Sequence, residues 1–150
     1  MMIIKYFAYG SNMDPQRMKE RGVNYISRKP AILEGWKLVF NKISSNNPNE
    51  GYANIIKDKN SKVEGCLYEV EESEIKKLDK YEGYPNHYTR TEIEVMVEGN
   101  KVFATTYKAN PEKISDALKP SKEYLNHLLK GYDCFSKEYL EKLKKTETLD

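Results

Sequence analysis

Two stretches of this chain combine residue types and spacings that suit chemistry, and the first is Tyr9-Gly10-Ser11-Asn12-Met13. It follows the continuous apolar run of Ile3, Ile4, Tyr6, Phe7 and Ala8, which fits a strand covered on both faces. Gly10, Ser11 and Asn12 are turn formers, and Asp14-Pro15 reads as a helix N-cap followed by the proline favoured at a first helical position. A strand, a tight loop and a helix therefore succeed one another. Such a loop presents backbone N–H groups at a helix start, where an anion or a developing oxyanion is favoured. Gly10 would also let a ligand approach the backbone closely. The same residues suit a plain strand-to-helix turn, in which case they carry no chemistry.

The second stretch is Glu82-Gly83. Helical periodicity runs from Glu71 to Tyr81, with Ser73 the expected N-cap and Ile75 and Leu78 on one face. Glu82 then sits at the helix C-terminus, facing the negative end of the dipole, which local stability does not explain. That field raises its pKa, and partial burial among Tyr81, Tyr84 and Tyr88 acts in the same direction. Both effects suit a general base working near neutral pH. An exposed glutamate carrying a small penalty is the other reading. Asp14, Glu64 and Asp79 are rival carboxylates, of which Asp79, one turn earlier, is expected to face solvent or to repel Glu82 mildly.

Composition bounds what can surround these residues. At 150 residues the chain is expected to form one domain spanning 1–150, without disulfide or metal support. Charged residues make up 32% of it, yet the net charge is only +2, which argues against a nucleic-acid partner. Met1-Met2-Ile3-Ile4 is interrupted by Lys5, too soon for a signal-peptide core. No later run has the apolar length of a membrane span, so a cytoplasmic protein without a membrane partner is expected. Cys66 and Cys134 stand far apart in sequence with no paired spacing, so reduced thiols are expected, with Cys66 a small buried hydrophobe. His87 and His127 have no second ligand in view, and neither receives a metal role.

The elements that must position the two stretches follow from periodicity and punctuation. Pro15 to Arg21 forms a short helix closed by Gly22. Val23 to Trp36 and Lys37 to Phe40 form two strands, or one strand bent at Gly35. Trp36 and Phe40 read as core aromatics, with a pocket wall as the alternative. Ser44 to Glu50 is an exposed, mobile loop or a flap. Gly51 to Ile56 and Val63 to Val70 are the next two strands. Gly83 to Asn86 turns the chain into a hairpin, Tyr88–Val97 and Lys101–Tyr107 about Glu98-Gly99-Asn100. Arg90 on that hairpin pairs with a carboxylate or is solvated. Ser121 and Ser136 cap two C-terminal helices separated by Gly131, before a charged tail from Lys144 to Asp150.

The strand-borne Tyr9-Gly10-Ser11-Asn12-Met13 resembles the Tyr-Gly-Ser-Asn-Leu signature of the gamma-glutamylcyclotransferase-like superfamily, with Met13 in place of the leucine. Leu78-Asp79-Lys80-Tyr81-Glu82-Gly83, then Tyr88-Thr89-Arg90, then Tyr107 recur in that family's order and approximate spacing. The resemblance implies an α+β fold, a small mixed-strand barrel-like sheet with flanking helices. It implies Glu82 as the catalytic residue and Tyr9, Gly10, Ser11, Asn12 and Met13 as a substrate-binding loop whose shape matters more than its side chains. Tyr88 and Tyr107 would lie near the pocket, bonding substrate or Glu82, although as residues they suit ordinary buried phenols equally. The reaction implied is closure of a gamma-glutamyl group to 5-oxoproline by its own α-amine, with no cofactor, no metal and no enzyme nucleophile. The partner would be a small-molecule gamma-glutamyl substrate and the protein a monomer or homodimer. Nothing in the sequence selects among gamma-glutamyl amino acids, gamma-glutamylamines and carrier-bound groups. A non-catalytic small-molecule-binding or regulatory module of the same fold is the alternative.

Overall fold

In the computed structural model, which describes residues 2–150, the apolar run Ile3–Ala8 forms strand β1. Met1, the first residue of the run judged too short for a signal peptide, lies outside the described residues. β1 becomes progressively buried along its length and ends with Phe7 and Ala8 in the core. It pairs antiparallel with β3 (Gly51–Glu71), placing Tyr6 opposite Tyr68, and parallel with β5 (Asn100–Ala109) at Tyr6 and Thr105. β2 (Ser27–Ile43) joins β3 to β4 (Tyr88–Val97), and β4 joins β5, so the order β1-β3-β2-β4-β5 closes into a barrel. Closure joins the two ends of the sheet, and β1 to β5 is the parallel pair that makes the barrel mixed.

The 3.6-residue patterns become α1 (Pro15–Glu20), α2 (Glu72–Glu82), α3 (Lys122–Leu129) and α4 (Lys137–Lys144). Leu33, Ile55, Val63 and Val95 from the strands share the core with Ile75 and Leu78 of α2 and Leu128 of α3. The two serine caps form as read: Ser121 accepts from the N–H of Tyr124 at 3.0 Å and Ser136 from that of Tyr139 at 3.2 Å.

Several local expectations are corrected. β2 is the single bent strand, starting only at Ser27, and the bend falls at Gly35, whose φ of +81° suits glycine alone at that bulge. The strands expected at 51–56 and 63–70 are one continuous strand, β3. Its polar middle stays attached because Asp58 accepts from the Asn60 N–H and the Ser61 hydroxyl while both flanks remain paired with β2. Ser73 does not cap α2. β3 runs directly into the helix, and the Glu72 N–H is satisfied by the Met2 carbonyl beside β1 at 3.0 Å. Residues 45–49 are exposed, but Ser44 is buried, its hydroxyl donating to Tyr52 Oη and accepting from the N–H groups of Asn46 and Asn47. Cys66 and Cys134, distant in sequence, are free buried thiols, and the neighbouring Cys134 together with burial pushes the Cys66 thiol up.

Candidate active site

Glu82 is the last residue of α2. Gly83 follows with φ +65° and ψ 34°, a left-handed C-cap whose N–H closes back on the carbonyls of Asp79 and Lys80. This termination turns the Glu82 side chain away from the helix and into a cavity of about 400 Å³ at the mouth of the barrel, where solvent still reaches it. Among the residues lining that cavity Glu82 is the sole carboxylate, while Arg17, Arg21, Lys42 and Lys80 bring positive charge. Burial pushes the Glu82 carboxyl above its ordinary value, opposed by Arg21, Arg17 and Lys42 and by the Asn12 hydrogen bond.

Asn12 organises the site. Its Nδ2 donates to Glu82 Oε1 at 3.0 Å and to Tyr6 Oη at 2.9 Å, and its Oδ1 accepts from Arg21 at 2.8 Å. Tyr68 Oη donates to the Asn12 carbonyl at 2.7 Å, and the residue is 2% exposed. Besides the shape of the loop, the Asn12 amide therefore matters to the site, because it holds Glu82 directly. The helix-start expectation changes. A one-turn 3₁₀ segment, Ser11–Met13, intervenes before α1, and the α1 N-terminus is capped by Asp14 itself through the Gln16 N–H at 3.0 Å. Ser11 and Asn12, which open the 3₁₀ turn, both line the cavity, and N–H groups at the start of a helical turn have no partner within it.

Tyr9, Gly10, Ser11, Asn12, Glu82, Tyr88 and Tyr107 all line the cavity. Met13 does not. It is wholly buried beneath the loop, against the backbone near Gly131. The tyrosines form the wall with their hydroxyls already engaged: Tyr9 donates to the Tyr107 carbonyl at 2.6 Å, Tyr88 to the Ala53 carbonyl at 2.9 Å, and Tyr107 to Asp79 Oδ1 at 2.7 Å. None of the three bonds Glu82. Burial raises all three phenols, which keeps them neutral donors.

The rival carboxylates are each occupied elsewhere. Asp79, expected to face solvent, instead pairs with Arg90 and accepts from Tyr107. Asp14 caps α1 and bonds His127 at 2.8 Å, and Glu64 accepts from the N–H and hydroxyl of Ser136. Sequence reasoning missed Tyr6, Arg17, Arg21, Lys42, Tyr52, His87 and Tyr124 as cavity residues. The four-residue spacing of Arg17 and Arg21 on one helix face was a usable signal. For Lys42 there was none, because a register shift between Val39 and Lys42 sets which way it points. No group of three or more metal-ligating side chains occurs among the described residues, and no described helix is long and apolar enough to cross a membrane.

A closed five-stranded mixed barrel with flanking helices, with one carboxylate in a cation-rimmed cavity, makes this a small α+β fold. The chain belongs to the gamma-glutamyl cyclotransferase, AIG2-like family, whose sequence model matches residues 6–126. The gamma-glutamylcyclotransferase of Mus musculus is 30% identical over 149 residues, covering 95% of this chain and 78% of that protein. A solved gamma-glutamyl cyclotransferase superposes with a TM-score of 0.86 at 26% identity, over 99% of this chain and 90% of that one. YkqA from Bacillus subtilis superposes equally well, with a TM-score of 0.86 at 25% identity, over 99% of this chain but 56% of its own.

Proposed function

We propose that this protein is a gamma-glutamyl cyclotransferase that releases 5-oxoproline from a gamma-glutamyl amino acid or gamma-glutamylamine, with Glu82 as general base. The observation that carries the reading is the placement of Glu82: a lone carboxylate in the cavity, held by Asn12 and raised by burial, with every rival engaged elsewhere. In the reaction, Glu82 takes a proton from the substrate α-ammonium. The freed amine attacks the γ-carbonyl carbon, a C–N bond forms, and the carbonyl becomes an oxyanion. Collapse breaks the bond to the departing nitrogen. The attacking nitrogen gives up two protons in all and the departing one gains two, which Glu82 is placed to carry between them. Folding the glutamyl chain into attack geometry contributes too, since well-oriented intramolecular attack supplies about 7–11 kcal/mol at best. The Ser11 and Asn12 N–H groups are suited to the oxyanion. The cytosol is the compartment this reading fits.

Glu82→Gln keeps the volume and the Asn12 contact but cannot accept a proton. It should lower 5-oxoproline release by about 10²- to 10⁴-fold while leaving substrate affinity near the wild-type value. Release by the variant at the wild-type rate overturns the role of Glu82. Substrate retention without release by either protein would favour the non-catalytic binding module.

A further inference from the structure

Lys42 is buried in the cavity wall, only 2% exposed, yet among the described residues it forms no ion pair. Its ammonium lies 3.0 Å from His87 Nδ1 and over the rings of Tyr52 and Tyr88, at 5.7 and 5.6 Å. An ammonium only donates, so His87 Nδ1 accepts, and the remaining ammonium protons have no protein acceptor. A buried cation so provided for is costly until an anion joins it. Tyr52, Tyr88 and His87 all line the same cavity, so the open side of Lys42 is the substrate space.

Arg21 and Lys42, two of the cavity's cations, share no hydrogen-bond partner. Arg21 bonds Asn12 and stacks on Tyr81, 4.8 Å from the ring centroid, on the Glu82 side. Lys42 belongs with His87, Tyr52 and Tyr88. A gamma-glutamyl group carries one ammonium and one carboxylate, so by itself it leaves the excess of Arg17, Arg21, Lys42 and Lys80 over Glu82 unchanged. A second carboxylate, on the departing portion, reduces it. We propose that Lys42, braced by His87 and the two tyrosine rings, binds the carboxylate of the departing amino acid. The substrate is then a gamma-glutamyl amino acid with a free carboxylate on its departing side, not a gamma-glutamylamine. This assignment rests on the cyclotransferase reading, with the glutamyl carboxylate held at the Arg17 and Arg21 end.

The test compares gamma-glutamyl-alanine with gamma-glutamyl-alaninamide, which differ in that one charge. For wild type, kcat/KM should favour the acid by about 10- to 100-fold, the range for a charge-assisted bond. Lys42→Met should bring the ratio towards one, and Lys42→Arg, which keeps the charge, should restore much of it. Calorimetric binding of both compounds to Glu82→Gln, with and without Lys42→Met, reads the same preference without turnover. Equal wild-type rates on the two compounds, or a ratio that survives Lys42→Met, overturns the role of Lys42 while leaving cyclisation intact. The latter result is also what binding of the glutamyl carboxylate by Lys42 would give. No 5-oxoproline from either compound, with acid-selective binding to Glu82→Gln that Lys42→Met abolishes, refutes cyclisation and upholds the carboxylate site. Neither turnover nor selective binding refutes both.

Discussion

Replacing Arg21 with glutamine tests whether the cation controls the base through Asn12. The guanidinium donates to Asn12 Oδ1 at 2.8 Å, and the amide of Asn12 passes the contact to Glu82 Oε1 at 3.0 Å. Cation and carboxylate are thus one amide group apart, roughly 7 Å, where two unit charges interact by ~2 kcal/mol at an effective dielectric near 20. Arg21 is partly solvated, and screening reduces this to about 1 kcal/mol. Glutamine retains a donor for Asn12 but removes the charge that most opposes the rise in the Glu82 pKa. The acidic limb of the kcat/KM profile should therefore move to higher pH by roughly 0.7. The profile height can fall as well if Arg21 holds the substrate carboxylate, so the midpoint is the diagnostic quantity. 5-Oxoproline release measured from about pH 4 to 9 would give it. A midpoint that stays in place or moves down refutes the relay from Arg21 through Asn12 to Glu82.

Two further perturbations probe stability. Folding raises the Glu82 pKa above its unfolded value of about 4.3, so the folded state holds that proton more tightly. Wild-type stability should accordingly decline as pH rises from that value through the folded pKa, a loss that Glu82→Gln escapes. Thermal unfolding should show the variant gaining on wild type between pH 4 and pH 8, and the opposite trend would overturn the burial argument. Gly83→Ala places a Cβ at φ +65° and 2.7 Å from His87 Cδ2. It should cost about 1–2 kcal/mol in denaturant unfolding, and unchanged stability would refute the claim that this C-cap needs glycine.

What could be read from the chain alone is what local physics decides. The buried N-terminal strand, the Gly10-Ser11-Asn12 turn, the Tyr88–Tyr107 hairpin, the serine caps and the end of α2 at Glu82-Gly83 all depend on residues a few positions apart. Glu82 was conspicuous for the same reason: an acid at a helix C-terminus is unfavourable on local grounds and invites another explanation. Tertiary structure decided the partners. Asn12 reaches Glu82 across 70 residues, and Asp79 reads as a solvent-facing acid on its own helix because Tyr107, 28 residues away, is invisible from there. β3 stays whole through a polar stretch because β2 pairs with both of its flanks, and Met13 leaves the cavity because the 3₁₀ turn rotates it into the core. Lys42 faces the cavity through a register shift in β2. Side-chain direction in a strand alternates with every residue, so one irregularity in pairing decides whether a cation faces solvent or the cavity, and that irregularity belongs to two strands together.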